Sequence, residues 1–369
     1  MERILRIDER LAALTKPTME SFDSFSIGNG DVLVVCAGFE DRAVEILRIA
    51  ARKNLGFQVQ IIEYLPPYSD NRIDDLIRIC QESKLKYERL TYDRKNPAGF
   101  GELLVQQLGD PEQRVFLDIS GMSRLLIVQI LVALRISAHN FGQCFIAYAE
   151  AKTYPPIQED VEKAIRESNR DPMFSALFLS SGVFEPTIVP ELSATSLGAN
   201  QSRLVFFPSF NPDQLVALRQ ELQPSRYVYI HGAPPSDENK WRTEAIIRLN
   251  HIGKTKAELN FDTAQSSKAD AGSPFGGSKR EEHFETSTLD YRETLECLCK
   301  IYARHGMRDR LLISPTGSKM QVVAVGLFRA FVEDVQIVYP TPRVFTEPKN
   351  YTTGIGKLHI LPLSAFGSI

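Results

Sequence analysis

The 369-residue chain predicts an α/β protein: two tandem Rossmann-like parallel-sheet domains related by internal duplication. Three observations carry the prediction. Short apolar runs alternate with helical patterns along the whole chain, as in a parallel sheet covered on both faces. The order of elements in the first half recurs in the second. Each half also carries a small Ser/Gly/basic loop where a strong strand runs into an apolar helix. The length suits two domains of ordinary size, expected at 1–195 and 196–369.

In the first half a strand at Val32 to Ala37 leads into a helix at Arg42 to Ala51, and a strand at Val59 to Tyr64 follows. The turn Pro66-Pro67-Tyr68-Ser69-Asp70 closes that unit. A helix at Ile73 to Cys80, a weaker strand at Tyr87 to Tyr92 and a helix at Gly101 to Leu108 come next. The strongest strand, Arg114 to Ile119, feeds a long apolar helix, Leu125 to Ile136, and the half ends on a strand at Gln143 to Ala149. The second half repeats the order: strand Leu204 to Pro208, helix Pro212 to Leu222, strand Arg226 to Ile230, helix Lys240 to Leu249. Its turn Pro234-Pro235-Ser236-Asp237-Glu238-Asn239-Lys240 answers Pro66 to Arg72. Leu90-Thr91-Tyr92-Asp93 precedes a helix as Ser287-Thr288-Leu289-Asp290 does, and Phe145 to Tyr148 matches Val335 to Tyr339. The segment 254–285, holding AQSSKADAGSPFGGSKREE, cannot bury much apolar surface and is expected to be a flexible insertion. The stretch Thr153 to Asn200, with a charged helix at Glu159 to Ser168, is expected to hold the domain boundary.

A net charge of −3 argues against a protein that coats polyanions, so any anion must be held locally. Cys36, Cys80, Cys144, Cys297 and Cys299 show no framework spacing and read as buried hydrophobes, which suits a reducing cytoplasm. The start, MERILRIDERLAAL, has no apolar core before a cleavage site, and no stretch is long and apolar enough for a bilayer; a cytoplasmic protein without membrane contact is expected.

Two loops align as the best candidates for chemistry. Ser314-Pro315-Thr316-Gly317-Ser318-Lys319 offers hydroxyls, backbone N–H groups near a helix start, a glycine and an ammonium, the parts of a phosphate site. Ser120-Gly121-Met122-Ser123-Arg124 has the same ingredients with arginine for lysine. Each loop also fits a hydroxyl N-cap with a glycine turn and a surface cation. Neither is a Walker A motif and no G-x-G-x-x-G occurs, so no ATP, NAD or other cofactor is expected. The loop Gly38-Phe39-Glu40-Asp41-Arg42 places two acids and a guanidinium at a strand end, where they could bind ribose or phosphate, or serve acid–base chemistry; Asp41 equally suits a helix N-terminus. Asp118 ends the strongest strand, as a base, a partner for arginine or a turn cap. Cys297-x-Cys299 and His231, His251, His283, His305 and His359 show no ligand spacing, and no metal is assigned.

With Phe207-Pro208-Ser209-Phe210-Asn211-Pro212 after its first strand and Ser314 to Met320 after its fourth, the second half resembles the CARF family, the CRISPR-associated Rossmann-fold sensor domains. The likeness spans roughly Ser202 to Pro340, with the family's double glycine reduced to Gly317 and Ser318 standing for threonine. It implies that Ser209, Asn211, Ser314, Thr316, Gly317, Ser318 and Lys319, with Ser120, Gly121, Ser123 and Arg124 in the first half, bind a cyclic oligoadenylate or a related nucleotide messenger; Arg42, from its own loop, is a further candidate for the same ligand. The resemblance further implies a sensor in prokaryotic antiviral defence, signalling to a separate effector because no effector domain is fused, and a pocket shared by two such domains within one chain or in a homodimer. Two other readings stand beside it: a ring-nuclease-like enzyme with Asp118, Glu40 or Asp41 as base, and a non-catalytic assembly scaffold.

Overall fold

A computed structural model describes residues 11, 13–53, 56–137, 139, 141–167, 184–194, 201–251, 254–259, 261, 280–343 and 351–363. The chain divides into two compact units, one of Ala13–Ile157 with Phe345–Ile369, the other of Met1–Ala12 with Gln158–Val344. The chain is α/β, with parallel strands in both units.

The first unit holds β1 (Glu20–Ser21), β2 (Val32–Cys36), β3 (Gln58–Leu65), β4 (Lys86–Asp93), β5 (Val115–Asp118) and β6 (Cys144–Ala149). Its helices are α1 (Glu45–Lys53), α2 (Ile73–Glu82), α3 (Phe100–Leu108) and α4 (Arg124–Ile136). The parallel order is β4-β3-β2-β5-β6. β2 is buried along its whole length, as its unbroken VLVVC run requires of a central strand. One face packs Leu33, Val35, Val59, Ile61 and Phe116 against Ile46, Leu47 and Ala50 of α1 and Leu76 and Cys80 of α2. α4 is apolar almost all round and correspondingly buried from Leu125 to Leu134.

The boundary expected at residue 195 does not match this division. A strand from the far end of the chain, Leu358–Pro362, pairs antiparallel with β6 in the register Ile360↔Ala147, and β1 pairs with it in turn. Residues 345–369 therefore belong with the first unit. The sequence hides this because antiparallel closure of a sheet edge by a distant segment leaves no local pattern.

In the second unit β7 (Phe184–Thr187) is followed by β8 (Gln201–Phe206), β9 (Arg226–Ala233), β10 (Glu281–Ser287), β11 (Asp309–Ser314), β12 (Gln336–Ile337) and β13 (Tyr339–Pro342), so that the segment 358–362 is β14. Helices α5 (Gln158–Glu167), α6 (Asp213–Leu222), α7 (Trp241–Asn250), α8 (Tyr291–His305) and α9 (Lys319–Phe331) accompany them. The sheet order is β10-β9-β8-β11-β12, all parallel, and β13 pairs antiparallel with β7. Both units thus run third, second, first, fourth, fifth strand, the order of a doubly wound sheet. The shared order is supplied by the fold class itself and does not establish the duplication.

Two expectations change here. The insertion expected over 254–285 gives way at residue 281 to β10, a full strand paired with β9; a helical turn at Lys256–Glu258 lies near its start, and 262–279 fall outside the described residues. The strand is legible only in three dimensions, because its Glu282 is buried in an ion network. Arg203, wholly buried on β8, donates to Glu282 at 2.7 Å and to Asp309 at 2.7 Å, while His305 lies 2.9 Å from Glu282 and Arg226 2.9 Å from Asp309. Burial would push the Glu282 carboxyl up, but His305, Arg203 and Arg304 outweigh it and hold it below its usual range. The expected strand Val335 to Tyr339 is instead split between β12 and β13. No helix among the described residues is long and apolar enough to cross a membrane.

Candidate functional site

In an open α/β sheet, ligands gather beyond the carboxyl ends of the strands where the strand order reverses. That point lies between β2 and β5 in the first unit and between β8 and β11 in the second. The residues singled out in the sequence lie at both points, in different states of engagement.

In the first unit the loops after β2 and β5 are pressed together. A Cβ on Gly38 would lie 3.3 Å from the Gly121 Cα, and one on Gly121 would collide with the Cys36 carbonyl, so backbone contact requires both glycines. Asp118 accepts from the Ser120 N–H at 2.9 Å, and the Ser120 hydroxyl accepts from the Ala149 N–H at 2.9 Å. Ser123 caps α4 by accepting from the Leu126 N–H at 3.4 Å, and Arg124 follows it half-buried in the first turn.

The Glu40, Asp41, Arg42 set is turned inward. Arg42 donates to Glu40 at 2.8 Å, to the Tyr148 hydroxyl at 3.2 Å and to the Ala149 carbonyl at 3.2 Å. Burial disfavours its cation, yet Glu40 and Tyr148 hold its pKa above the ordinary value. Glu40 also accepts from the Thr352 hydroxyl; Asp41 accepts from Arg72 and, at 3.2 Å, from the Gly354 N–H. Residues 352–354 of the C-terminal segment thus lie against this strand end, and the polar atoms proposed for acid–base work have partners within the unit. The apolar gap beneath Ile119 and Met122, lined also by Leu117, Ile127, Ile130, Leu131 and Ile146, offers no polar group to orient a ligand.

In the second unit the loops after β8, β10 and β11 are knitted together. Thr316 donates to the Phe207 carbonyl at 2.7 Å, and the Ser318 hydroxyl donates to the Thr288 carbonyl at 2.6 Å. Ser318 and Gln321 form a reciprocal capping box on α9. Ser209 accepts from the Asn211 N–H at 3.2 Å, and Asn211 accepts from the Asp213 N–H at 3.1 Å at the start of α6. Ser314 is fully buried, and a Cβ on Gly317 would crowd Gln321 and Phe207. Most of the predicted hydroxyls thus shape the loop, and half-buried Lys319 stands at the first position of α9.

The structure also assembles a group that spacing did not reveal. His231 on β9, His283 on β10 and His251 at the end of α7 bring one ring nitrogen each within 4.8 Å of one another. The sequence spacing of the histidines gave no sign that these three meet. Each comes from a different element, so only the pairing of β9 with β10 and the docking of α7 could disclose them. No protein-family model and no curated protein matches the chain.

Proposed function

We propose that the chain is a receptor for a phosphate-bearing nucleotide messenger, a cyclic oligoadenylate in the first instance, bound beyond β8 and β11 of the second unit and reported to a protein partner. The supporting observation is the join between the two loops: Thr316 ties Ser314–Lys319 to Phe207 at the reversal of strand order. Through that join the N-terminus of α9, with Lys319 at its first position, follows directly on a loop bonded to the segment after β8. A preformed loop carrying one cation and a helix N-terminus suits a phosphodiester. Capture without cleavage is favoured because two of the three acids offered as bases, Glu40 and Asp41, are engaged by Arg42, Thr352, Arg72 and Gly354, and the third, Asp118, is buried and accepts from the Ser120 N–H.

Calorimetry of the full chain with cyclic tetra- and hexaadenylate and with cyclic dinucleotides tests the reading. Binding of at least one is expected, weakened by about tenfold or more in Lys319→Ala, with the labelled ligand recovered intact. Arg124→Ala should change affinity less. Absence of heat from every ligand, or equal affinity in Lys319→Ala, refutes the proposal.

A further inference from the structure

We infer that His231, His251 and His283 form a zinc site, built from residues other than those proposed for the nucleotide and independent of that reading. His231 and His283 sit on adjacent parallel strands, with His283 opposite Tyr229 and His231 opposite Glu285. His231 Nε2 lies 3.2 Å from His283 Nδ1. Two nitrogens bound at 2.0–2.1 Å to a tetrahedral ion stand about 3.3 Å apart, so this pair already has the spacing of two ligands. His251, at the C-cap of α7, supplies the third ring, its centroid 5.0 Å from that of His283 and 5.6 Å from that of His231.

The surroundings favour a cation over simple packing. The three residues are 1%, 9% and 5% exposed, walled by Tyr229 and Phe261. Nε2 of His251 is buried without a hydrogen-bond partner among the described residues; a dry ring nitrogen is costly where nothing satisfies it. A ligand set of three imidazoles without thiolate or carboxylate suits zinc and its late first-row neighbours rather than magnesium or calcium. Three protein ligands leave a fourth position for water or an anion.

The test uses the full chain stripped with chelator and titrated with Zn2+, and with Co2+ as a spectroscopic probe. One Zn2+ per chain is expected, with visible cobalt bands of a four-coordinate nitrogen site. His251→Gln and His283→Gln, checked for folding by circular dichroism, should each weaken uptake by more than about 100-fold and abolish those bands. No uptake by the folded wild-type chain overturns the inference, as does an unchanged cobalt spectrum in both variants. Should a variant fail to fold, the wild-type stoichiometry and cobalt spectrum decide alone.

Discussion

His231, His251 and His283 are held neutral in the folded chain because burial penalises the imidazolium; for His251 the pKa falls to about 3. The unfolded chain titrates near the ordinary value of about 6.5. Above that value neither state carries the proton and the histidines leave stability unchanged. Below it the unfolded state takes up protons that the folded state refuses, so stability falls as pH falls, for His251 by up to roughly 1.4 kcal/mol per unit. Urea midpoints of the metal-free chain should decline from pH 7 to pH 5, above the range where carboxylates titrate, and decline less in His251→Gln. Equal midpoints across that interval would contradict the burial argument. At this scale the helix caps were legible beforehand: Ser123 and Ser318 stand just before apolar helices and do cap them, because capping is local. Partners brought from far along the chain, such as Thr352 for Glu40 and Arg203 for Glu282, were not.

Strands and helices follow the hydrophobic pattern closely where a segment is apolar enough to be covered on both faces, as in β2, β5 and β11, or all round, as in α4 and α9. They depart from it where polar residues are buried in pairs, as in β10. Packing between elements is as tight as the pattern suggests. At Gly101 a Cβ would lie 2.6 Å from the Gln129 carbonyl and 3.0 Å from the Ala133 Cβ, so α3 meets α4 backbone to backbone. Gly101→Ala should therefore destabilise the chain by about 1–3 kcal/mol, despite alanine's better helix propensity of about 1 kcal/mol. Denaturant unfolding measures it, and a stabilised variant would show that the helices part at little cost.

Taken as a whole, the chain is two α/β units of like strand order that differ at their strand ends. In the first unit the C-terminal segment adds β14 beside β6 and brings Thr352 and Gly354 to Glu40 and Asp41. A chain lacking 345–369 should lose this closure, expose the β6 edge to strand pairing with other chains and unfold at lower urea with a tendency to associate. Light scattering and urea titration report both, and an unchanged midpoint in a monomeric truncation would count against the pairing. The sequence by itself determined the α/β class, most of the strands and helices, and the two Ser/Gly/basic loops, because periodicity, capping and turn chemistry act over a few residues. Only the tertiary structure decided that the last strand closes the first sheet, that Glu40, Asp41 and Arg42 face inward, and that three histidines from β9, β10 and α7 converge. Those are meetings of residues distant in sequence, set by strand register and helix docking, and no local pattern encodes them.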